Sequence, residues 1–149
     1  MEMEIREATV SDLPAMETTA RLFYASSSQL RRFEIGRFCE TWRGLLENGA
    51  GVIFGLFGDE VMGALGGVRH RDPYSEEMIA AEMFWFVRPE VRGPGLRLYR
   101  AFEAWARAVG CNQIRMAFLE DSMPEKVEAI YLRLGFHPVE KLYAKELAC

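Results

Sequence analysis

Residues 88–98 read RPEVRGPGLRL and stand between a strand pattern and an amphipathic helix pattern. A glycine-bearing turn that enters a helix leaves backbone N–H groups unpaired at the positive end of the helix dipole, where a phosphate can bind. The local charge also favours an anion, because residues 88–107 hold five arginines and two glutamates in a chain of net charge −4. The segment could hold a phosphate, but these residues alone are better explained by an ordinary strand-to-helix turn with a solvated arginine face.

Neither of the two common phosphate-binding motifs is present in the chain. There is no GxxxxGK[ST] loop, and no GxGxxG followed by an acidic residue at the expected distance. A nucleotide would therefore have to be bound by backbone amides and arginine.

Few other side chains suggest chemistry. Glu82 stands in an aromatic strand pattern, and an unpaired carboxylate is costly to bury, so it either faces a cleft or pairs with an arginine. Histidine is a common general base, but His70 is better explained as a surface residue. Cys111 has no histidine near it in sequence, so we exclude a thiol nucleophile.

The three cysteines and two histidines show no metal-ligand spacing, and no metal site is expected.

The elements that must position these residues alternate in type, in the order β-α-α-β-β-β-α-β-α-β. The spacing of apolar residues indicates a first strand at residues 5–9, then a helix capped by Ser11-Asp12, and a second helical stretch from Leu30 to Leu45. A hairpin follows at residues 51–68, then a strand at residues 78–87, a helix ending near Gly110 and a strand at residues 112–119. Pro124 opens the last helix, and residues 136–147 predict one or two final strands.

Length and composition limit the class of protein. The 149 residues, half of them hydrophobic, fit one domain spanning residues 1–149 with a real core. The acidic balance argues against a nucleic-acid partner, and no apolar run is long enough to cross a membrane. No secretory signal is visible and the cysteines show no disulfide framework, so we expect a cytoplasmic protein.

The segment VRPEVRGPGL at residues 87–96 resembles the acetyl-CoA motif of the GNAT-type N-acetyltransferases, in which Arg92 and Gly95 match. The ending AIYLRLGF at residues 129–136 is similar to the family's closing motif, a tyrosine separated from Gly-Phe by three residues. The spacing of the two motifs and the opening IREAT are also similar, so the resemblance covers almost the whole chain. It implies a single-domain α/β (α+β) GNAT-like fold, whose central mixed, largely antiparallel sheet has six to seven strands and about four flanking helices.

The resemblance implies direct transfer of the acetyl group of acetyl-CoA to a primary amine of a small-molecule or protein acceptor, with CoA as product. Pantetheine would pair with the strand backbone in the gap between splayed parallel strands, and amides of residues 93–98 would hold the pyrophosphate, except at Pro94, which has no N–H. The cofactor-binding residues implied are Phe86, Val87, Arg92, Gly93, Gly95, Leu96, Arg97 and Leu98. Arg97 departs from the usual small residue, so it either obstructs the pyrophosphate or pairs with a phosphate.

By the same resemblance, Tyr131 is the acid that protonates the leaving thiolate, and Glu82 is our choice for the base that deprotonates the amine. Tyr131 also fits simple core packing, because it shares a helical stripe with Val127, Ile130 and Leu134. Acceptor recognition falls to residues of the first two helices, the 69–77 loop and the C-terminal strands, namely Phe23, Tyr24, Arg31, Arg32, Trp42, Tyr74 and Tyr143.

Two other functions are compatible with these residues. A catalytically silent acyl-CoA sensor or scaffold would bind the cofactor without turnover and would tolerate Tyr131→Phe. A phosphate-ligand module would bind nucleotides that lack pantetheine equally well. Family analogy also allows a homodimer through the C-terminal strands.

Overall fold

The computed structural model describes residues 2–25, 32–91, 93–117 and 124–148. The elements in chain order are β1 (Glu4–Glu7), a 3-10 helix (Val10–Met16), α1 (Glu17–Ala25), α2 (Ile35–Glu47), β2 (Gly51–Phe57), β3 (Val61–Arg71), β4 (Met78–Val87), α3 (Gly95–Ala108), β5 (Gln113–Arg115) and α4 (Pro124–Arg133). The five strands form one mixed sheet in chain order, antiparallel from β1 to β4 and parallel between β4 and β5. The predicted α+β class with a largely antiparallel sheet is confirmed.

The centre of the sheet forms where the sequence signals are strongest. The β2–β3 hairpin closes at the predicted turn, where the Gly58 N–H donates to the carbonyl of Glu60 at 2.9 Å. β4 has the predicted bounds, because Pro89 lacks the N–H that a continuing ladder needs. α3 ends beside Gly110, whose φ of +83° is the left-handed conformation that glycine adopts most easily.

Helices cover both faces of the sheet. The 3-10 helix, α1 and α2 bury Leu13, Met16 and Trp42 against Phe84 and Phe86 on one face. On the other face, α3 buries one stripe, formed by Leu98, Tyr99, Phe102 and Ala106, against β2 and β3. Each large apolar side chain removed from water in this way stabilises the fold by about 2 kcal/mol. The two layers hold β4 between them, and β4 carries the predicted site.

The first helix begins differently from the prediction. The N-cap residue is Thr9 instead of Ser11 or Asp12. The Asp12 carboxylate accepts a hydrogen bond from the Thr9 N–H at 2.7 Å. Asp12 is therefore the third residue of a reciprocal cap. The second helix begins at Ile35, later than the predicted start at Leu30, which lies outside the described residues.

The predicted final strands at residues 136–147 are wrong. In the described part of this segment, residues 136–148, the chain forms neither helix nor strand. Pro138 lacks a ladder donor, and the neighbouring edge, β5, is only three residues long, so there is little strand to pair with. β5 itself is shorter than the predicted 112–119, of which residues 118 and 119 lie outside the described residues. The sheet of the described chain therefore has five strands instead of six to seven.

No helix among the described residues is long and apolar enough to cross a membrane.

Candidate active site

The parallel strands β4 and β5 pair over a short distance only. Their partners are Ile79 with Gln113, Ala80 with Ile114 and Ala81 with Arg115. β4 then continues for six more residues to Val87, and no further β5 partner occurs in the described chain. The second half of β4 thus offers an open edge, in agreement with the predicted parallel pair that separates.

The ladder with β3 shows which residues of β4 face that open edge. The Arg88 N–H donates to the Met62 carbonyl at 2.8 Å, which directs the backbone groups of Arg88 toward β3. Successive residues direct their N–H and C=O groups to opposite edges of a strand. The backbone groups of Phe86 therefore face β3, whereas those of Val87 and Trp85 face the gap. Phe86 was predicted to bind the cofactor, whereas the alternation of backbone groups favours Trp85, which lies two residues before Val87 on the same edge of the strand.

A bulge in β4 determines where Glu82 lies. Gly66 faces Phe84 and the next residue, Gly67, faces Glu82, so Met83 is an extra residue without its own partner. Without the bulge, Glu82 and Phe84 would share one face of the strand, because side chains alternate. With it, Phe84 packs toward α2, and Glu82 lies on the face covered by α3 and α4.

Glu82 and Tyr131 meet at the same residue, Ala117, just beyond β5. The Ala117 N–H donates to Oε1 of Glu82 at 3.0 Å, and the Tyr131 hydroxyl donates to the Ala117 carbonyl at 2.6 Å. These contacts join residues 35 and 14 positions apart in sequence. The two side chains predicted as base and acid therefore lie together beside the gap. Ala117 was not foreseen, since its contribution is entirely from the backbone and has no side-chain signal.

The surroundings of Tyr131 keep its hydroxyl protonated. The side chain is 7 % exposed, and its ring lies 6.3 Å from that of Trp85 in a stacked arrangement. Burial raises the pKa of Tyr131 above the ordinary tyrosine value, and the charges of Glu82 and Tyr99 raise it further. A phenol in this state donates a hydrogen bond at neutral pH and is not a base.

The N-terminus of α3 has the predicted turn. Gly93 has a φ of +91°, a conformation that other residues rarely adopt, and Pro94 caps the helix. The N–H groups of Gly93, Gly95 and Leu96 make no hydrogen bond within the described chain. Those of Arg97 and Leu98 both donate to the Pro94 carbonyl, at 3.0 and 3.2 Å. The set of amides available to an anion is therefore narrower than the predicted 93–98.

The remaining predicted binding residues differ in exposure. Leu98 is fully buried in the core, and Leu96 is 36 % exposed. Arg97 is exposed and borders a shallow depression together with Glu2 and Glu4 of the N-terminal segment. Arg92 lies outside the described residues.

A cleft of about 1600 Å³ adjoins Glu82 and Tyr131, bounded by the end of α1, α2, β4, β5, α4 and the C-terminal segment. Of the side chains predicted to recognise the acceptor, Tyr24, Arg32 and Trp42 line it. Phe23 packs against Phe86, with ring centroids 5.7 Å apart. Tyr74 and Tyr143 are 93 % and 80 % exposed, and Arg31 lies outside the described residues. His70 also lines the cleft and is exposed, as expected for a surface residue.

Comparison with known proteins decides the family. Residues 13–136 match the model of the Acetyltransferase (GNAT) family, which is most of the chain and includes β4, the α3 turn and Tyr131. The chain belongs to this family. It is thus an acetyl-CoA-dependent N-acetyltransferase, and the predictions of family, activity and cofactor are confirmed.

Solved structures show the same fold. The chain is similar to the aminoglycoside N-acetyltransferase AAC(6')-Iy in complex with CoA (TM-score 0.77, 16% identity, covering 99% of this chain and 96% of that one). An acetyltransferase from Clostridium acetobutylicum with acetyl-CoA gives a TM-score of 0.77 at 13% identity, covering 97% and 96%. Glucosamine-6-phosphate N-acetyltransferase from Arabidopsis thaliana gives 0.75 at 12% identity, covering 99% and 100%. No curated protein sequence matches the chain significantly. The named acceptors of these structures differ, so the GNAT fold alone does not fix the acceptor.

Proposed function

We propose that this GNAT protein binds acetyl-CoA along the open edge of β4 and transfers the acetyl group directly to a primary amine that enters through the cleft beside Glu82. The observation that carries the proposal is the convergence of Glu82 and Tyr131 on the two backbone groups of Ala117, at 3.0 and 2.6 Å. A carboxylate can accept the proton of the amine, and a protonated phenol beside it can donate a hydrogen bond to the leaving sulfur; amine acetylation needs both groups.

The residues present fit the cofactor. Trp85 and Val87 present backbone groups to the gap, where an extended amide-containing arm can pair with them as an added strand would. The N–H groups of Gly93, Gly95 and Leu96 stand at the positive end of the α3 dipole, which suits a pyrophosphate. A Cβ built on Gly95 would meet only Val87, at 3.5 Å, so the space beside that amide is open to a ligand.

Bound acetyl-CoA supplies the thioester, whose carbonyl carbon bonds to the amine nitrogen while its bond to sulfur breaks, so that CoA leaves as the thiol. The overall change consumes one neutral amine and yields one amide. An amine that arrives as an ammonium must lose one further proton, which passes to solvent.

Glu82 takes the proton from the amine in this proposal. Its Oε1 already accepts the Ala117 N–H, which fixes the direction of the carboxylate on the inner face of the gap. The Met83 bulge is essential, because it turns Glu82 toward the face that carries Tyr131.

Tyr131 holds a proton at its hydroxyl oxygen and donates it as a hydrogen bond to the leaving sulfur. Its single O–H proton is engaged with the Ala117 carbonyl, so the hydroxyl must turn from that carbonyl toward the sulfur. The raised pKa favours a hydrogen bond over complete proton transfer, because a thiolate is a weaker base than the Tyr131 phenolate. The proton that completes the CoA thiol is the one that Glu82 removed from the amine, returned through solvent.

Calorimetric titration of the purified protein with acetyl-CoA, CoA and 3′,5′-ADP tests the binding mode. The proposal predicts saturable binding of acetyl-CoA that is at least about tenfold tighter than binding of 3′,5′-ADP, because the latter lacks the arm that pairs with β4. Equal affinities would instead indicate a phosphate-ligand module.

Turnover is tested by release of CoA thiol in the presence of a panel of primary amines. Tight binding without release for any amine would identify a silent acyl-CoA-binding domain. Direct transfer also predicts that intact-protein mass spectrometry finds no acetylated enzyme after acetyl-CoA is added without acceptor. A stable adduct of one acetyl group that is discharged by amine would contradict direct transfer.

A further inference from the structure

One side of the cleft is a continuous aromatic wall, formed by Tyr24, Phe33, Phe38, Trp42 and Phe84. The Tyr24 and Phe33 rings are stacked with centroids 5.6 Å apart, and Phe33 lies 5.5 Å from Phe38. Phe38 lies 5.7 Å from Phe84, which meets Trp42 edge-on at 5.3 Å. Trp42 and Phe84 are 5 % and 6 % exposed and form the base of the wall. The ring surface open to the cleft is therefore that of the half-buried Tyr24, Phe33 and Phe38. Such a surface binds flat or branched apolar groups.

The wall ends beside the proposed base. Phe84 is separated from Glu82 only by the bulged Met83, and all three residues line the same cleft. Phe84 and Glu82 lie on opposite faces of β4, so an amine whose nitrogen is at the Glu82 carboxylate brings its carbon skeleton to the rings across the open edge of β4, where both residues line the cleft. Met83, which is 58 % exposed, adds a flexible apolar side chain at the same place.

The charge of the cleft does not favour a polycation. The positively charged side chains that line its described part are those of Arg32, Arg37, Arg107, Arg115 and Lys141. The negatively charged ones are those of Glu34, Glu82, Glu103, Glu128 and Glu140. The two sets balance, and next to the aromatic wall Arg32 and Arg37 each lie beside a carboxylate, that of Glu146 at 3.1 Å and that of Glu40 at 3.7 Å. A ligand with several positive charges needs an excess of carboxylates, which these lining residues do not supply.

We infer that the acceptor is a primary amine with one positive charge on an aromatic or branched apolar body, not a polycation such as an aminoglycoside or a polyamine. The inference rests on the proposed function and names the substrate class of that same site. The ring wall holds the body, and Glu82 receives the single ammonium group and takes its proton. The nitrogen then bonds to the acetyl carbon as the bond to sulfur breaks, and it loses a second proton. The products are the N-acetylamine and the CoA thiol, with one proton released to solvent.

The test measures kcat/KM by CoA release, with saturating acetyl-CoA and four probes: 2-phenylethylamine, n-butylamine, spermine and kanamycin. We expect 2-phenylethylamine to exceed each of the others by about tenfold or more, since burial of one ring group is worth that much in discrimination. Preference for spermine or kanamycin would overturn the inference and leave the acetyltransferase proposal standing. Absence of CoA release with every amine would contradict the proposed function itself.

Two variants make the test specific. Phe38→Leu removes a ring from the wall and should raise KM for 2-phenylethylamine about fivefold, with little change for n-butylamine. Phe57→Leu is the matched control, because that ring lies against the Arg6 guanidinium at the end of β2 and does not line the cleft, so both KM values should stay the same.

Arg37→Glu tests the charge argument without risk to the core, because Arg37 is exposed and its partner Glu40 is exposed as well. It should raise the kcat/KM ratio of spermine to 2-phenylethylamine about fivefold, and less at high salt. A ratio unchanged at low salt, or KM values for 2-phenylethylamine that Phe38→Leu leaves unchanged, would refute the inference.

Discussion

Gly95→Ala should change stability and cofactor affinity in opposite directions. Gly95 is the first residue of α3, its φ lies outside the left-handed region, and a Cβ there would make an ordinary 3.5 Å contact with Val87. The fold therefore accepts alanine, which restricts the unfolded chain and favours the helix by about 0.5 kcal/mol. For a chain of this size we expect Tm to rise by about 1–2 °C.

The same methyl group should weaken acetyl-CoA binding. A phosphate oxygen must approach the Gly95 amide nitrogen to about 2.9 Å, through the space that the Cβ would fill. We expect Kd to rise about tenfold or more, equivalent to about 1.4 kcal/mol, and further for Gly95→Val. Calorimetric Kd and thermal unfolding are measured on the same preparation.

Gly44→Ala is the control for this experiment, because Gly44 lies in α2 and a Cβ there meets nothing within 4 Å. It should raise Tm and leave Kd unchanged. If Gly95→Ala raised Tm but left Kd at the wild-type value, the α3 N-terminus would not be the pyrophosphate site.

Two further predictions concern the fold. Arg6 lowers the pKa of Asp12 to about 2, mainly through a side-chain hydrogen bond, so the stabilisation is present above the unfolded-state pKa near 4 and is lost as pH falls through about 2. In urea titrations, Asp12→Ala should thus lower the free energy of unfolding by about 1 kcal/mol at pH 7 and by much less at pH 2. An equal loss of stability at the two pH values would exclude the Arg6 ion pair and the helix cap as its source. Gly67→Ala should destabilise by about 2 kcal/mol, because its Cβ would overlap the Phe102 ring; wild-type stability by the same titration would show that the β3–α3 contact can relax.

The parts of the fold that the sequence predicted are those with strong local signals. The hairpin turn at Gly58, the proline that follows β4 and the glycine at the end of α3 each act within a few residues. The prediction of final strands failed because the apolar residues of this segment show only that it could pair. Whether it does depends on the partner edge, and β5 is three residues long.

The site was predictable in its residue types but not in its geometry. Tyr131 and the α3 turn were found from motifs, and Glu82 from the physical oddity of a carboxylate in an aromatic strand. Their meeting at Ala117 depends on contacts between distant segments and on the Met83 bulge. No pattern of apolar residues in the sequence reveals a bulge of this kind, because the extra residue is recognised only when the residues of β4 are paired with those of β3.

The most direct test of the account is to compare wild type and Tyr131→Phe for kcat of CoA release with 2-phenylethylamine and for calorimetric Kd of acetyl-CoA. Loss of the hydroxyl that donates at 2.6 Å to Ala117 should lower kcat about 100-fold, while Kd stays within about twofold of the wild-type value. Thermal unfolding of the variant checks that the protein is folded. Equal kcat in the two proteins would contradict the account and return Tyr131 to a packing role in the α4 stripe.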